Sequence, residues 1–170
     1  MTRLEELLKT PRYTPDGFPI PTGPENYGAC LLEITEKYKP KSILEIGSHN
    51  GVSTEIFAIT CESVITIDIL LSEKLQDVLT RCPNITFYHE PSDSAHTKIP
   101  NESVDLLYID GDHETESAVK DIRNYVPKVR PGGVIAGHDI NSEKVRLAVD
   151  AELGTGYDVY NDFSWSMRKK

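Results

Sequence analysis

Two periods of hydrophobic and polar positions alternate along the chain, one typical of buried strands and one typical of amphipathic helices. Five short apolar runs predict strands, and the segments between them carry apolar residues at three- and four-residue spacing, which predicts helices. The turn Pro131-Gly-Gly133 precedes the fifth strand. The predicted strands are residues 42–47, 63–69, 84–89, 104–110 and 134–137, and the predicted helices are 25–38, 52–61, 72–82, a segment marked by Val119, Ile122 and Val126, and 144–153.

The two ends of the chain depart from this alternation. Residues 157–160 and 163–167 read as two strands joined by Asn161-Asp162, a connection tight enough to predict an antiparallel hairpin. We therefore predict an α/β domain over residues 25–170, with a mostly parallel seven-stranded sheet. Residues 1–24 are predicted to form a short helix, opened by Thr2 and Glu5, and a proline-rich arm that is a candidate lid.

Charge and composition narrow the range of partners. The formal net charge is −9, and Lys and Arg are not gathered in one stretch, which disfavours nucleic acid and anionic membranes. No apolar run is long enough to span a bilayer, and the opening residues MTRLEELLKT lack the apolar core of a secretory signal. The three cysteines form no CxxC pair. We expect a cytoplasmic protein with a small-molecule partner, and a homodimer stays open.

A glycine turn, Gly47-Ser-His-Asn-Gly51, stands between the first predicted strand and the next helix. Ligands of open α/β sheets bind beyond the carboxyl ends of the strands, near the point where the strand order reverses. Gly47 and Gly51 would let a ligand approach the backbone, and the helix N-terminus favours a carboxylate. His49 replaces the middle glycine of the dinucleotide pattern, which disfavours a pyrophosphate. The same turn would also suit a purely structural connection.

Two more strand ends carry polar residues. Asp68 ends the second predicted strand, where a carboxylate can accept hydrogen bonds from both hydroxyls of a ribose. It could instead cap the next helix, although Ser72 already offers that cap. Ser92 and Asp93 follow the third strand and are candidates to flank an adenine, but both are also ordinary turn residues.

Four segments together resemble the class I S-adenosylmethionine-dependent methyltransferases: ILEIGSHNGVST at 43–54, VITID at 64–68, LLYIDGDH at 106–113 and PGGVIAGHD at 131–139. The resemblance extends over residues 25–170. It implies a Rossmann-like fold with helices on both faces of the sheet and S-adenosylmethionine as the cofactor, with Glu45 and the glycine turn holding its methionyl part. With the candidates at the strand ends, the predicted cofactor contacts are Glu45, Gly47, Ser48, Gly51, Asp68, Ile69, Ser92, Asp93 and Asp110.

The segments IDGDH and GHD resemble more narrowly a group of O-methyltransferases that act on macrolides, cephamycins and sugars, some of which use a divalent metal. Asp110 ends the fourth strand and Asp139 follows the fifth, so both carboxylates would point into one cleft if the strands are neighbours. With His138 they form a predicted site for Mg²⁺ or Mn²⁺. The family usually carries two carboxylates, or a carboxylate and an amide, where this chain has His138-Asp139.

The predicted catalytic residues are Asp110 and His113. A cation would lower the pKa of an acceptor hydroxyl, and His113 would remove its proton as general base. The alternatives are that Asp110 caps a helix, that Asp139 accepts a loop hydrogen bond and that His113 belongs to a first helical turn. His138 could be a ligand, a base or a strand-end residue.

The predicted function is therefore S-adenosylmethionine-dependent methyl transfer to a hydroxyl of a small molecule or sugar, with metal assistance. An NAD-binding oxidoreductase would share the first βαβ unit, but it is disfavoured by the missing middle glycine and by the terminal hairpin. A non-catalytic S-adenosylmethionine-binding protein would have no need of Asp110, His113 and Asp139 over one cleft. A nitrogen acceptor and metal-independent transfer stay open.

Overall fold

Seven strands of the computed structural model form one sheet. The structure describes residues 27–170 and, before them, residues 4, 5, 8, 12, 13, 19 and 20. The strands are β1 (Ser42–Ile46), β2 (Ser63–Asp68), β3 (Ile85–His89), β4 (Val104–Ile109), β5 (Val129–Gly137), β6 (Asp158–Val159) and β7 (Trp165–Arg168).

The strand order across the sheet is β3-β2-β1-β4-β5-β7-β6. Strands β1 to β5 are parallel, whereas β7 pairs antiparallel with both β5 and β6. The predicted mostly parallel sheet with a C-terminal antiparallel hairpin is confirmed. The chain winds outward from β1 through β2 to β3 and then returns to β4 on the other side of β1, so a crevice opens beyond the carboxyl ends of β1 and β4.

Helices cover both faces of the sheet, as predicted. Ile43 on β1 packs into one core with Leu31 and Ile56, whereas its neighbour Leu44 points into the opposite core with Ile122. This alternation is the two-residue period of a strand buried on both faces. The helices are α1 (Tyr27–Tyr38), α2 (Val52–Thr60), α3 (Glu73–Arg81), α4 (Ser92–Ala95), α5 (Thr115–Tyr125) and α6 (Glu143–Leu153), with 3-10 turns at His96–Lys98 and Val126–Lys128.

The predicted turn at Pro131-Gly133 is wrong, because these residues lie inside β5. The pairing of β4 with β5 shifts register between Val104 and Leu106, which absorbs the extra residues as a bulge. Gly132 takes a φ of 72° there, and a Cβ at Gly133 would lie 2.8 Å from the Asp105 carbonyl oxygen. Proline and glycine at a bulge are compatible with a strand, and sequence reasoning took them for a break.

The N-terminal arm is described at only a few positions. Leu4, Glu5 and Leu8 are helical, and Arg12–Tyr13 pairs antiparallel with Pro19–Ile20. The remaining residues of the predicted segment 1–24, including Thr2, lie outside the described residues, so the lid and the domain boundary stay predictions. None of the described helices combines the length and the apolar character that a bilayer-spanning segment needs.

Candidate active site

A cavity of about 1270 Å³ opens beyond the carboxyl ends of β1, β2, β3 and β4. Its walls come from the turns that follow these strands and from the first turns of the helices behind them. Eight of the nine predicted cofactor residues line the cavity: Gly47, Ser48, Gly51, Asp68, Ile69, Ser92, Asp93 and Asp110. The ninth, Glu45, lies beneath its floor.

Gly47 and Gly51 have φ angles of 90° and 79°, a region that L side chains rarely adopt. A Cβ at Gly47 would overlap the backbone carbonyl of Asp110, and one at Gly51 would lie 3.1 Å from side-chain atoms of Leu75 and Val78. Sequence reasoning assigned the glycines to the close approach of a ligand. The structure gives a second reason, because the turn itself packs against β4 and α3.

Ser48 is buried in this turn and lines the cavity. Its hydroxyl has no hydrogen-bond partner among the described residues. Leaving a buried hydroxyl unpaired is costly. An unused hydroxyl next to the N-terminus of α2 therefore marks a place where a polar ligand group would be bound.

The Glu45 carboxylate is fully buried and is surrounded by hydroxyl groups. Ser53 donates a short hydrogen bond to it, and Thr54 and Thr66 donate at 2.6 Å each. Burial raises the pKa of Glu45 to about 7, although the three hydroxyl donors oppose the shift. Glu45 thus ties β1 to β2 and to the first turn of α2, so it supports the glycine turn from below and does not reach into the cavity.

Asp68 is held by two backbone amides. One carboxylate oxygen accepts from the N–H of His49 at 2.7 Å, and the other accepts from the N–H of Leu70 at 2.8 Å. A carboxylate has about four acceptor positions, so about two stay available. The next residue, Ile69, is 64% exposed at the cavity rim. The predicted helix cap belongs to Ser72, which accepts from the N–H of Leu75 at 3.1 Å.

Ser92 and Asp121 form the far end of the cavity. The Ser92 hydroxyl donates to Asp121 Oδ1 at 2.6 Å, and the Ser92 carbonyl accepts from the Tyr125 hydroxyl at 2.7 Å. Burial raises the pKa of Asp121 to about 6, and Asp93 and Asp112 add to the rise. Sequence reasoning missed Asp121, because an acid in the middle of an amphipathic helix looks like part of the solvent face.

A second group of charged residues lies at the opposite end of the cavity from Ser92 and Asp121. Asp110 and Asp139 follow the neighbouring strands β4 and β5, as predicted, and two histidines lie between their carboxylates. His113 Nε2 is 2.7 Å from Asp139 Oδ2 and 3.9 Å from Asp110 Oδ1. His138 Nδ1 is 3.1 Å from the same Asp139 oxygen and 4.0 Å from the same Asp110 oxygen. We call these four residues the carboxylate–imidazole cluster.

Three members of this cluster, His113, His138 and Asp139, have a shifted pKa. Asp110 and Asp139 raise the pKa of His113 to about 9 against the effect of burial. Burial lowers the pKa of His138, but Asp139 and Asp110 outweigh it and the net shift is upward. Burial likewise opposes the shift at Asp139, yet His138 and His113 hold its pKa below the ordinary value. The charges on His113, His138 and Asp139 are therefore each stabilised by an opposite charge within the cluster.

Metal-ligand geometry is met by three of these residues. Asp110, His113 and Asp139 each offer one ligand atom, and the three atoms lie within 4.8 Å of one another. The predicted metal set contained His138 in place of His113, whose predicted role was general base. By distance the two histidines are nearly equivalent, and they differ in exposure: the His113 side chain is 56% exposed and that of His138 is 21% exposed.

Two further residues contact the cluster and were not predicted as site residues. Tyr27 donates to Asp110 Oδ2 at 2.8 Å, and its ring packs edge-on against His138 with centroids 4.9 Å apart. Asp162 lies on the other side of His138, with Oδ2 3.9 Å from Nε2. In the sequence, Tyr27 belonged to the apolar stripe of α1 and Asp162 to the hairpin connection. Neither position carried a signal of the cluster.

Comparison with known proteins assigns the family. A family model described as a methyltransferase domain matches residues 44–140, more than half of the chain. The chain therefore belongs to this family of methyltransferases, and the predicted family is confirmed. The matched span runs from β1 through the turn after β5, so it includes the glycine turn, Asp68, Asp110 and Asp139.

Individual relatives are distant. The uncharacterized protein y4gI of Sinorhizobium fredii is 26% identical over an alignment 155 positions long, and the match covers 78% of this chain and 17% of that protein. This chain thus spans only about one sixth of the length of the curated relative that it matches.

Solved structures share the fold. An O-methyltransferase from Bacillus cereus in complex with SAH superposes with a TM-score of 0.65 at 17% identity, over 98% of this chain and 90% of that chain. The tRNA (m1A58) methyltransferase TrmI from Aquifex aeolicus has a TM-score of 0.67 at 14% identity, over 92% and 61%. At these identities the likeness establishes the fold, and the predicted class I methyltransferase fold is confirmed.

Proposed function

We propose that this chain transfers the methyl group of S-adenosylmethionine to a hydroxyl group of a small molecule, and that a divalent cation assists. The observation that carries the proposal is the continuity of the site. One cavity runs from Ser92 and Asp68 to Asp110, and His113 in its wall reaches Asp139 at 2.7 Å. A nucleoside-sized space and a carboxylate–imidazole cluster are therefore adjacent, as a cofactor and an acceptor must be.

Different parts of the cavity suit different parts of the cofactor. Asp68 retains acceptor capacity for ribose hydroxyls. Ser48 offers its unpaired hydroxyl beside the N-terminus of α2, where backbone N–H groups favour the amino acid carboxylate. The sulfonium lies between these two groups in the cofactor, which directs it toward Gly47 and Asp110. When bound, the cofactor supplies an electrophilic methyl group.

The residues present also fit a divalent cation. His113 converges with Asp110 and Asp139 within 4.8 Å, and His138 Nδ1 lies 4.0 Å and 3.1 Å from oxygens of the same two carboxylates. We assign Asp110, Asp139 and His138 as the residues that would hold it. This oxygen and nitrogen donor set suits Mg²⁺ less well than Mn²⁺. When bound, the cation would lower the pKa of the acceptor hydroxyl.

The difference in side-chain exposure between His113 and His138 supports different roles for the two residues. His138 is the more buried, and the Asp162 carboxylate behind Nε2 favours an orientation in which Nδ1 faces the carboxylates. His113 is more than half exposed, so a proton that it takes from the acceptor can pass to solvent. We therefore assign His113 as general base, a role that it could take once a cation on Asp110 and Asp139 offsets the two carboxylates that raise its pKa. Asp110 is adjacent to both the proposed ligand and the proposed base. Tyr27 donates to one of its oxygens, and the other oxygen faces both His113 and His138.

The net charge of −9 supports a small-molecule acceptor over a nucleic acid, whose phosphates need a basic surface. None of Cys30, Cys61 and Cys82 forms a disulfide bond, which supports the cytoplasm as the compartment. Chemistry directed at oxygen is supported by the cluster, because a cation and a base are useful for a hydroxyl that must lose its proton.

Calorimetry tests the cofactor assignment. The protein is expected to bind S-adenosylhomocysteine and to give no heat with NAD. Asp68→Asn should weaken binding about 10-fold or more through the loss of charge-assisted hydrogen bonds. Asp150→Asn is the matched control, because Asp150 accepts from Tyr157 on the far side of α6. Binding of NAD without S-adenosylhomocysteine would refute the proposal.

A radiolabelled methyl assay with a panel of hydroxyl and amine acceptors tests the reaction. Activity on hydroxyl acceptors should disappear with a chelator and return with Mn²⁺ or Mg²⁺. Activity that persists in excess chelator would remove the cation from the proposal. Cofactor binding without methylation of any acceptor would favour a non-catalytic role.

A further inference from the structure

At the far end of the cavity, the proton of the Ser92 hydroxyl is used in a hydrogen bond within the protein. Ser92 lies at the start of α4 and lines the cavity, and its hydroxyl donates to Asp121 Oδ1 at 2.6 Å. Asp121 on α5 is only 4% exposed. We infer that Asp121 fixes the polarity of the Ser92 hydroxyl, so that the cavity selects a base bearing an amino group at this edge and rejects one bearing a carbonyl group.

This inference rests on the proposed function, which brings a nucleoside into the cavity. The ends of β1, β2 and β3 are successive neighbours in the sheet. In S-adenosylmethionine the sulfur and the base are attached at opposite sides of the ribose. If Asp68 at the end of β2 binds the ribose and the sulfur faces β1, the base extends toward the end of β3, where Ser92 and Asp121 are.

Hydrogen-bond capacity fixes the direction of the Ser92–Asp121 contact. A serine hydroxyl has one proton and two lone pairs, whereas an ionised carboxylate is only an acceptor. The hydroxyl proton therefore points to Asp121, and the lone pairs of Ser92 Oγ stay available to the cavity. Ser92 is the only hydrogen-bond donor to the Asp121 side chain within the part of the chain that the structure describes.

The surroundings hold both residues in this arrangement. The Tyr125 hydroxyl donates to the Ser92 carbonyl at 2.7 Å, so the serine backbone is anchored to the same helix that carries Asp121. Asp121 Oδ2 faces Gly111, where a Cβ would come within 3.4 Å of it. Asp121 Oδ2 is thus close to the backbone that follows β4.

The consequence is a choice between bases. The 6-amino group of adenine can donate to the lone pairs of Ser92 Oγ. The 6-carbonyl group of hypoxanthine can only accept, so it would face another acceptor and lose its hydrogen bond to water without replacement. A site built for a donor rejects a ligand that lacks one more strongly than an apolar site does. Asp121 is thus a positioning residue that determines the specificity for the base through Ser92.

Replacement of Asp121 by asparagine should relax this choice. The asparagine amide is nearly isosteric and carries N–H donors as well as an acceptor. It can donate to Ser92 Oγ, which releases the serine proton toward the cavity, where it can meet a carbonyl group. Ser92→Ala removes the hydroxyl and should also abolish the preference, with no amide introduced.

The test compares S-adenosylhomocysteine with its 6-deaminated analogue, S-inosylhomocysteine, by calorimetry at pH 7.5. The wild-type protein should prefer the amino compound about 10-fold or more. In Asp121→Asn and in Ser92→Ala the ratio should fall to within about 3-fold of unity, which corresponds to loss of one discriminating hydrogen bond. Ser94→Ala is the control, because Ser94 lies on the same helix as Ser92 but its hydroxyl donates to Glu90 and to the Pro91 carbonyl, not to Asp121.

The outcomes separate this inference from the proposed function. If the wild-type protein binds neither compound, the proposed function is refuted and the inference with it. If it binds both equally, or if Asp121→Asn and Ser92→Ala keep the wild-type ratio, the inference alone is wrong. Should Asp121→Asn fail to fold, the ratio measured with Ser92→Ala decides.

Discussion

The two halves of the site hold their carboxylates by different means. In the half at the ends of β1, β2 and β3, which we call the nucleoside half, Glu45, Asp68 and Asp121 are bound by hydroxyl groups and backbone amides. In the carboxylate–imidazole cluster, Asp110 and Asp139 face two histidines instead. The donors are neutral in one half and cationic in the other.

The pKa shifts follow this difference. Burial raises the pKa of Glu45 and Asp121, because neutral donors only partly replace water around a charge. The pKa of Asp139 is lowered, because imidazolium groups outweigh its burial. The nucleoside half therefore provides fixed hydrogen bonds with defined directions. The cluster provides charges whose present partners could be exchanged for a cation and an acceptor.

Gly47 joins the two halves, and its replacement should have the largest effect. Gly47→Ala places a Cβ against the Asp110 carbonyl and also requires a φ of 90°. The backbone strain and the overlap should together cost about 3 kcal/mol or more in the free energy of unfolding, which thermal denaturation would record as a drop of about 6–12 °C in Tm.

Gly132→Ala is the matched control, because Gly132 also has a positive φ but an added Cβ there meets nothing within 4 Å. It should show the cost of the backbone conformation alone. Equal losses in the two variants would mean that the contact between the glycine turn and β4 contributes nothing to stability, and the two halves would then be independent.

The second prediction is that each half of the site binds its own ligand, the cluster Mn²⁺ and the nucleoside half S-adenosylhomocysteine. Asp139→Asn should weaken Mn²⁺ binding about 100-fold or more, measured by electron paramagnetic resonance, because one charged ligand is lost. Its affinity for S-adenosylhomocysteine should stay within about 2-fold of wild type, since Asp139 does not line the cavity. Asp68→Asn should show the reverse pattern. Parallel losses of both ligands in either variant would show that the division into halves is wrong.

The next prediction concerns Tyr27 and its hydrogen bond to Asp110 in the cluster. Burial and the Asp110 carboxylate raise the pKa of Tyr27, so its hydroxyl stays protonated and donates. Tyr27→Phe keeps the ring contact with His138 and removes only the hydrogen bond to Asp110. It should weaken Mn²⁺ binding about 10-fold without changing S-adenosylhomocysteine binding. Unchanged Mn²⁺ affinity would leave Tyr27 with a packing role.

The two halves also differ in how far the sequence predicts them. Gly47, Asp68 and Asp110 lie at strand ends, where the period of the pattern and the topology of parallel sheets define a common edge. Tyr27, Asp121 and Asp162 come from a helix start, a helix interior and a hairpin connection. Their roles depend on how those elements pack onto the sheet, which no local pattern records. The same limit explains Pro131-Gly133, since only the neighbouring strand distinguishes a bulge from a turn.

The smallest expected effect concerns pH and the nucleoside half. The pKa of Asp121 is about 6 in the folded protein, above the value of 3.8 for a free aspartate. The folded state therefore binds this proton more tightly than the unfolded state does. The resulting stabilisation is complete below about pH 3.8 and is lost as the pH rises through about 6. Between pH 5 and 7 wild type should lose about 1 kcal/mol from this group, or about 2–4 °C in Tm.

Asp121→Asn isolates this contribution, because it has no carboxyl group to titrate at position 121. Glu45 titrates in both proteins, and its effect cancels in the difference. The Tm of the variant should therefore rise relative to that of wild type between pH 5 and 7. Parallel curves over that range would mean that Asp121 is as well solvated in the folded protein as in the unfolded chain. The contrast between the two halves would then lose its physical cause.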